Sequence, residues 1–134
     1  MSELQHGTRV LVVDDDPLIR LTVEAALTAH GYHVTTAGDP RTASQDVEAD
    51  LVLLDAIIPD CSLSECLTLL GRRDDGSARP ILVMSGSLAP PEELAGTGIG
   101  YLAKPFPLTE LLDAVDGLVA STSGTVTKGA GASR

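Results

Sequence analysis

The sequence predicts an α/β domain: a doubly wound, five-stranded parallel sheet with helices on both sides. Two observations predict it. Five short runs read as strands, and the central ones are apolar throughout instead of alternating, which suits strands buried on both faces. Each run is followed by a stretch that reads as a helix. The totals agree, because 134 residues with 43% hydrophobic and 21% charged content fit one globular domain with a full core. Tyr32, Tyr101 and Phe106 are the only aromatics, so that core has to be aliphatic. There is no internal repeat.

The elements follow in order. "RVLVV" (9–13) is a β-branched apolar run and the first strand. "DPLIRLTVEAALTAHG" (16–31) places Leu18, Ile19, Val23, Ala26 and Leu27 at helical spacing. Asp16 is its expected N-cap, Pro17 suits the first helical position and Gly31 ends it. "YHVTTA" (32–37) reads as a strand, and "DPRTASQDVEA" (39–49) as a weakly amphipathic helix. "DLVLLD" (50–55) is a strand bounded by acids. "LSECLTLLGRR" (63–73) is a helix, followed by the turn-like "DDGSARP". "ILVMS" (81–85) is the fourth strand. "PPEELAG" (90–96) allows at most two helical turns, and "GYLA" (100–103) is the fifth strand. "PLTELLDAVDGLVAS" (107–121) carries Leu108, Leu111, Leu112, Ala114, Val115 and Leu118 on one broad helical face. The expected division is an N-terminal extension (1–7), a folded domain (8–120) and a disordered tail (121–134) that is small, polar and Gly-rich.

Nine basic residues against nineteen acidic ones give a net charge of −10. That argues against direct nucleic-acid binding, which needs a basic face to neutralise phosphates. It suits a cation or a basic patch on a partner protein. The sequence has no apolar stretch long enough for a membrane span, and "MSELQHGTR" has no signal-peptide core, so a cytoplasmic protein is expected. Cys61 and Cys66 make no disulfide framework and have no zinc-site partners; they read as small residues near a helix start, with a redox role as the alternative. His6, His30 and His33 form no ligand cluster in the sequence.

In open parallel sheets, ligands bind beyond the carboxyl ends of the strands. Asp14, Asp15 and Asp16 follow the first strand, Asp55 ends the third, Ser85 and Gly86 end the fourth, and Lys104 and Pro105 follow the fifth. Adjacent carboxylates repel, and a hard divalent cation among them relieves the repulsion; carboxylate oxygens suit Mg2+.

"VLVVDDDP", "VLLDAIIP", "LVMSG" and "YLAKPF", in that order and spacing, resemble the receiver domain of two-component response regulators over roughly residues 8–120. The resemblance implies a CheY-like, flavodoxin-like (βα)5 fold with strand order 2-1-3-4-5. It implies Asp55 as phosphoacceptor, served by a histidine kinase or histidine phosphotransfer protein in a Mg2+-dependent reaction. Asp14 and Asp15, with Asp55 and the main-chain carbonyl of Ile57, would hold the metal. Ser85 would hydrogen-bond the phosphoryl group, Lys104 would pair with Asp55 and then with a phosphoryl oxygen, and Tyr101 matches the aromatic switch position. The Lys104–Pro105 bond is expected to be cis. The implied role is a phospho-switch that binds a downstream protein target, assists its own phosphorylation and dephosphorylation, and is a monomer or weak dimer. It would be a single-domain regulator or a receiver taken from a longer hybrid kinase.

The sequence also departs from the family pattern. Ile58 stands where a methionine is usual, and Leu63 stands where a glycine is expected, so the loop there would be rebuilt. Ile57 is apolar where a polar side chain could position water, which predicts slow loss of the phosphoryl group. Only 18 residues separate Ser85 from Lys104, so the fourth helix should be short or irregular, as in receivers of hybrid kinases. The common dimer through the fourth and fifth helices is therefore not expected. Two other readings fit parts of the sequence. One is a haloacid-dehalogenase-type phosphatase with Asp14 as nucleophile and Asp16 as acid–base. It leaves Asp55 without a role. The other is a degenerate receiver acting only as an interaction module.

Overall fold

The computed structural model describes residues 7–43, 48–72 and 76–122. Five strands form one parallel sheet in the order β2-β1-β3-β4-β5: β1 (Arg9–Val13), β2 (His33–Ala37), β3 (Leu51–Asp55), β4 (Ile81–Ser85) and β5 (Gly100–Ala103). The helices are α1 (Pro17–Ala29), α2 (Pro40–Ala43), α3 (Leu63–Leu70) and α4 (Leu108–Thr122). This is the CheY-like arrangement that the alternating pattern and the resemblance led us to expect.

Burial explains why the central runs are apolar throughout. Side chains alternate across a strand. Val10, Val12, Leu51, Leu53, Leu82 and Met84 point to one face, where Val23, Leu27, Leu111 and Val115 of α1 and α4 cover them. Leu11, Val13, Val52, Leu54, Ile81 and Val83 point to the other, under Ala43, Cys66 and Leu70. All five residues of β3 and of β4 are buried. The edge strand β2 is buried only at Ala37, which matches its threonines.

The caps are local and largely as expected. Asp16 caps α1, its Oδ1 accepting from the Leu18 N–H at 2.9 Å, with Pro17 in the first turn. Gly31 follows the helix at φ 104°, a conformation that favours a residue without Cβ. The capping box on α3 was not read from the sequence, although "SLSE" carries its signature. Ser62 Oγ accepts from the Glu65 N–H at 3.1 Å, and Glu65 Oε1 accepts from the Ser62 N–H at 2.9 Å. In the same loop the left-handed residue is Asp60 (φ 64°), while Leu63 starts α3 with its side chain buried.

Three boundaries differ from expectation. Of the helix expected over 39–49, the structure shows one turn, Pro40–Ala43; residues 44–47 lie outside the described residues. Helix α3 ends at Leu70, not 73, where the Gly71 N–H closes on the Leu67 carbonyl. Helix α4 runs to Thr122, two residues into the stretch expected to be tail; the rest of that tail, and residues 1–6 of the expected extension, lie outside the described residues. The β4–β5 crossover holds a single 3-10 turn, Glu92–Leu94, in keeping with the shortened helix expected there. Leu94 reaches the α2–α3 side of the core. Among the described residues, no helix is long and apolar enough to cross a membrane.

Candidate functional site

The carboxyl edge of the sheet carries four polar side chains that the fold buries: Asp14, Asp55, Ser85 and, in large part, Lys104. Register explains their convergence. Val13 pairs with Leu54, so Asp14 and Asp55 extend the same ladder by one residue. Asp55 pairs with Met84 and Ser85 with Ala103, so Ser85 and Lys104 lie one step further along.

Asp14 is the most enclosed. Its side chain has no exposed surface, and such a charge is tolerated only with full compensation. Oδ2 accepts from Lys104 Nζ at 2.9 Å and Oδ1 from the Asp16 N–H at 2.9 Å. Its main chain is tied as well. The Asp14 N–H donates to the Ala37 carbonyl at 3.2 Å, and the Asp14 carbonyl accepts from Arg20 Nη1 at 2.7 Å. Sequence reading missed Arg20, since its function depends on a turn of α1 folding back over β1.

Lys104 stands between two acids. Nζ lies 2.9 Å from Asp14 Oδ2 and 3.4 Å from Asp55 Oδ1. The resemblance implies Asp55 as its partner; in this structure its shorter contact is with Asp14. The Lys104 N–H donates to the Ser85 carbonyl at 2.6 Å, which seats the lysine beside β4, and the bond to Pro105 is cis. Burial alone would lower the pKa of this ammonium. The hydrogen bond and charge of Asp14, followed by Asp55, outweigh burial and hold it above its ordinary value.

Asp55 is pushed the other way for a carboxylate. Burial first, then the charge of Asp14, raise its pKa above the ordinary value; Lys104 and the Ile57 N–H act against the rise. Asp15 is exposed, but its carboxylate, with those of Asp14 and Asp55, can place three oxygens within 4.8 Å of one another. Among the described residues this is the one group of His, Cys, Asp or Glu with metal-ligating geometry. The donor set is all hard oxygen, the chemistry Mg2+ prefers. Asp16 is spent on the α1 cap, which removes it from the acid–base role weighed for a phosphatase.

The hydroxyl side is held more lightly. Ser85 Oγ accepts from the Ser87 N–H at 3.1 Å, and the Tyr101 hydroxyl donates to the Ser87 carbonyl. Ser87 was not singled out from the sequence, although a Ser-x-Ser spacing is the signature of this local turn. Ile57 is 75% exposed, as is much of Leu18 at the start of α1. His30 caps the C-terminal end of α1, its Nε2 3.0 Å from Asp116, and His33 is exposed.

Comparison with known proteins agrees with the fold. The family model described as the response regulator receiver domain matches residues 10–116. The probable transcriptional regulatory protein TcrX of Mycobacterium tuberculosis is 34% identical over 122 residues, covering 87% of this chain and 51% of that protein. The chain thus spans about half the length of the curated relatives it matches. The chemotaxis response regulator CheY4 of Vibrio cholerae superposes with a TM-score of 0.74 at 30% identity, over 84% of this chain and 98% of that one. The receiver domain of the sensor histidine kinase PA1611 from Pseudomonas aeruginosa superposes with a TM-score of 0.68. It is 27% identical over 84% of this chain and 98% of that one, and its structure has a magnesium ion coordinated in the active site cleft.

Proposed function

The chain belongs to the response regulator receiver domain family, and on that premise we propose that Asp55 accepts a phosphoryl group from a phosphohistidine. The observation that carries the reading is Lys104 Nζ, set between the buried Asp14 and Asp55 at 2.9 and 3.4 Å. A receiver domain is a signalling domain of a two-component system, and its partners include histidine kinases.

Phosphoryl transfer asks for positioning and charge neutralisation more than covalent help. An Asp55 oxygen attacks phosphorus, the P–N bond breaks, and the imidazole nitrogen keeps the electron pair and takes a proton from solvent. Lys104 is seated by the Ser85 carbonyl, so its ammonium exchanges Asp55 for a phosphoryl oxygen with little movement of its backbone. Asp14 keeps the lysine charged and oriented. Ser85 Oγ accepts from Ser87 and so has its own proton to donate to a phosphoryl oxygen. A bound Mg2+ would be held by Asp14, Asp15, Asp55 and the main-chain carbonyl of Ile57, and would supply the remaining neutralisation of charge. The magnesium of the PA1611 receiver supports this assignment.

The switch follows from the same chain of contacts. Movement of Ser85 toward the phosphoryl group pulls on the Ser87 N–H, and the Ser87 carbonyl is what Tyr101 holds. The added charge is thereby read at the surface of β5. The exposed Ile57 offers no polar group to align water, so the phospho-aspartate is long-lived. The net charge of −10 suits a basic patch on a protein target. Longer relatives are named as transcriptional regulatory proteins, and this chain matches about half of their length, so the expectation of no direct nucleic-acid contact is confined to the matched part.

The test is intact-mass spectrometry after incubation with Mg2+ and acetyl phosphate, on the wild type and on Asp55→Ala. A gain of one phosphoryl group in the wild type alone is expected. The same gain in Asp55→Ala would move the acceptor elsewhere. No gain in either, together with no binding of beryllofluoride, would leave the interaction-module reading.

A further inference from the structure

Cys61 lies in the turn between β3 and α3, and Cys66 lies on α3. Both are free thiols with little exposed surface, yet their Sγ atoms are 3.2 Å apart. The turn holds them there. The Cys61 N–H donates to the Ile58 carbonyl, and the capping box of Ser62 and Glu65 starts the helix one residue later. A disulfide needs the sulfurs at about 2.05 Å, so they have to approach by roughly 1 Å. Their access differs. Cys61 lines an open cleft of about 500 Å3, together with Ile57, Ser85, Ser87 and Pro91, whereas Cys66 is sealed beneath α3. The dithiol is thus reachable from one side only, beside the carboxyl edge of the sheet.

We propose that Cys61 and Cys66 form a dithiol oxidation site, which a small hydroperoxide entering by that cleft converts to an intramolecular disulfide. The Cys61 thiol gives its proton to solvent and its sulfur attacks the terminal peroxide oxygen. The O–O bond breaks, Cys61 becomes a sulfenic acid, and the departing alkoxide takes a proton to become an alcohol. The Cys66 sulfur then attacks the Cys61 sulfur, the S–O bond breaks, and hydroxide leaves with the Cys66 proton as water. Two thiols and one hydroperoxide give one disulfide, one alcohol and one water. The order of events follows from access and from acidity. Burial, then the hydrogen bond and charge of Cys61, push the Cys66 thiol up to about 12, so Cys66 does not initiate. The share of that rise owed to Cys61 falls away once Cys61 is oxidised. The site does not depend on phosphorylation of Asp55.

The full chain, reduced and then treated with tert-butyl hydroperoxide, should lose the mass of two hydrogen atoms without forming dimers. Peptide mapping should find a Cys61–Cys66 link that dithiothreitol reverses. In Cys66→Ala, dimedone should capture a sulfenic acid on Cys61; in Cys61→Ala, Cys66 should remain unlabelled. A link between chains, first labelling at Cys66, or two thiols still reduced after exposed glutathione has been consumed would each overturn the proposal. The wild-type map decides the link even if a variant loses its fold.

Discussion

Asp14 and Ser85 stand at the carboxyl edge of one sheet, yet they are held in opposite ways. Two side-chain bonds and two main-chain bonds fix Asp14, and Lys104 compensates its charge. Ser85 Oγ is met by one N–H, that of Ser87, in front of a crossover with a single 3-10 turn. On the proposed function, the difference gives a physical reason for a fixed corner and a responsive one. A buried carboxylate needs compensation at every oxygen, so its corner cannot move cheaply. A hydroxyl is neutral, rotates freely and costs little to re-bond, so its corner is the one left to respond.

The comparison breaks most visibly at Lys104. Lys104→Met leaves Asp14 and Asp55 buried without their cation and should cost about 3 kcal/mol in urea unfolding. Much of that loss should return in Lys104→Met combined with Asp14→Asn. A loss no larger than that of an ordinary surface change would mean that charge does not hold the acid corner.

Asp55 sharpens the comparison from within the same corner. Its pKa is raised in the folded state, so its contribution to stability is fully present below its ordinary value of 3.8 and is lost as pH rises through the folded value. At neutral pH it therefore opposes folding. Asp55→Asn, measured with a chelator present, should unfold at a higher temperature than the wild type at pH 7. The gap should close in acid, below the ordinary carboxylate pKa. A gap that stays constant with pH would remove the electrostatic explanation.

At the hydroxyl corner the effects should be smaller. Tyr101→Phe removes the bond to the Ser87 carbonyl and should cost about 1 kcal/mol. Its more telling result is functional: phosphorylation should proceed while β5 amide resonances no longer shift with it. Unchanged coupling would locate the switch elsewhere. Ile57→Asn, at an exposed position, should change stability by less than about 0.5 kcal/mol. It should shorten the lifetime of the phosphorylated form; equal lifetimes would count against the water-exclusion argument.

Much of this was legible in the chain itself. The runs at 9–13, 50–55 and 81–85 declared central strands because residues buried on both faces leave no polar alternation. Asp16, Pro17 and Gly31 marked the bounds of α1 because capping is decided within a few residues. The capping box at Ser62 and Glu65 is equally local and was legible in "SLSE". Arg20 and Ser87 had weaker signals, since each acts on a residue only after a helix or a strand end has been placed.

By itself the sequence determined the order of strands and helices and put Asp14, Asp55, Ser85 and Lys104 at strand ends, where a parallel sheet collects them. Periodicity and capping are properties of neighbouring residues, so one dimension suffices for them. Only the tertiary structure decided that Lys104 sits closer to Asp14, 90 residues away, than to Asp55, and that Tyr101 reaches across to Ser87. It also brought the sulfurs of Cys61 and Cys66 within 3.2 Å. The first is a difference of half an ångström, and all three depend on packing that no spacing along the chain encodes.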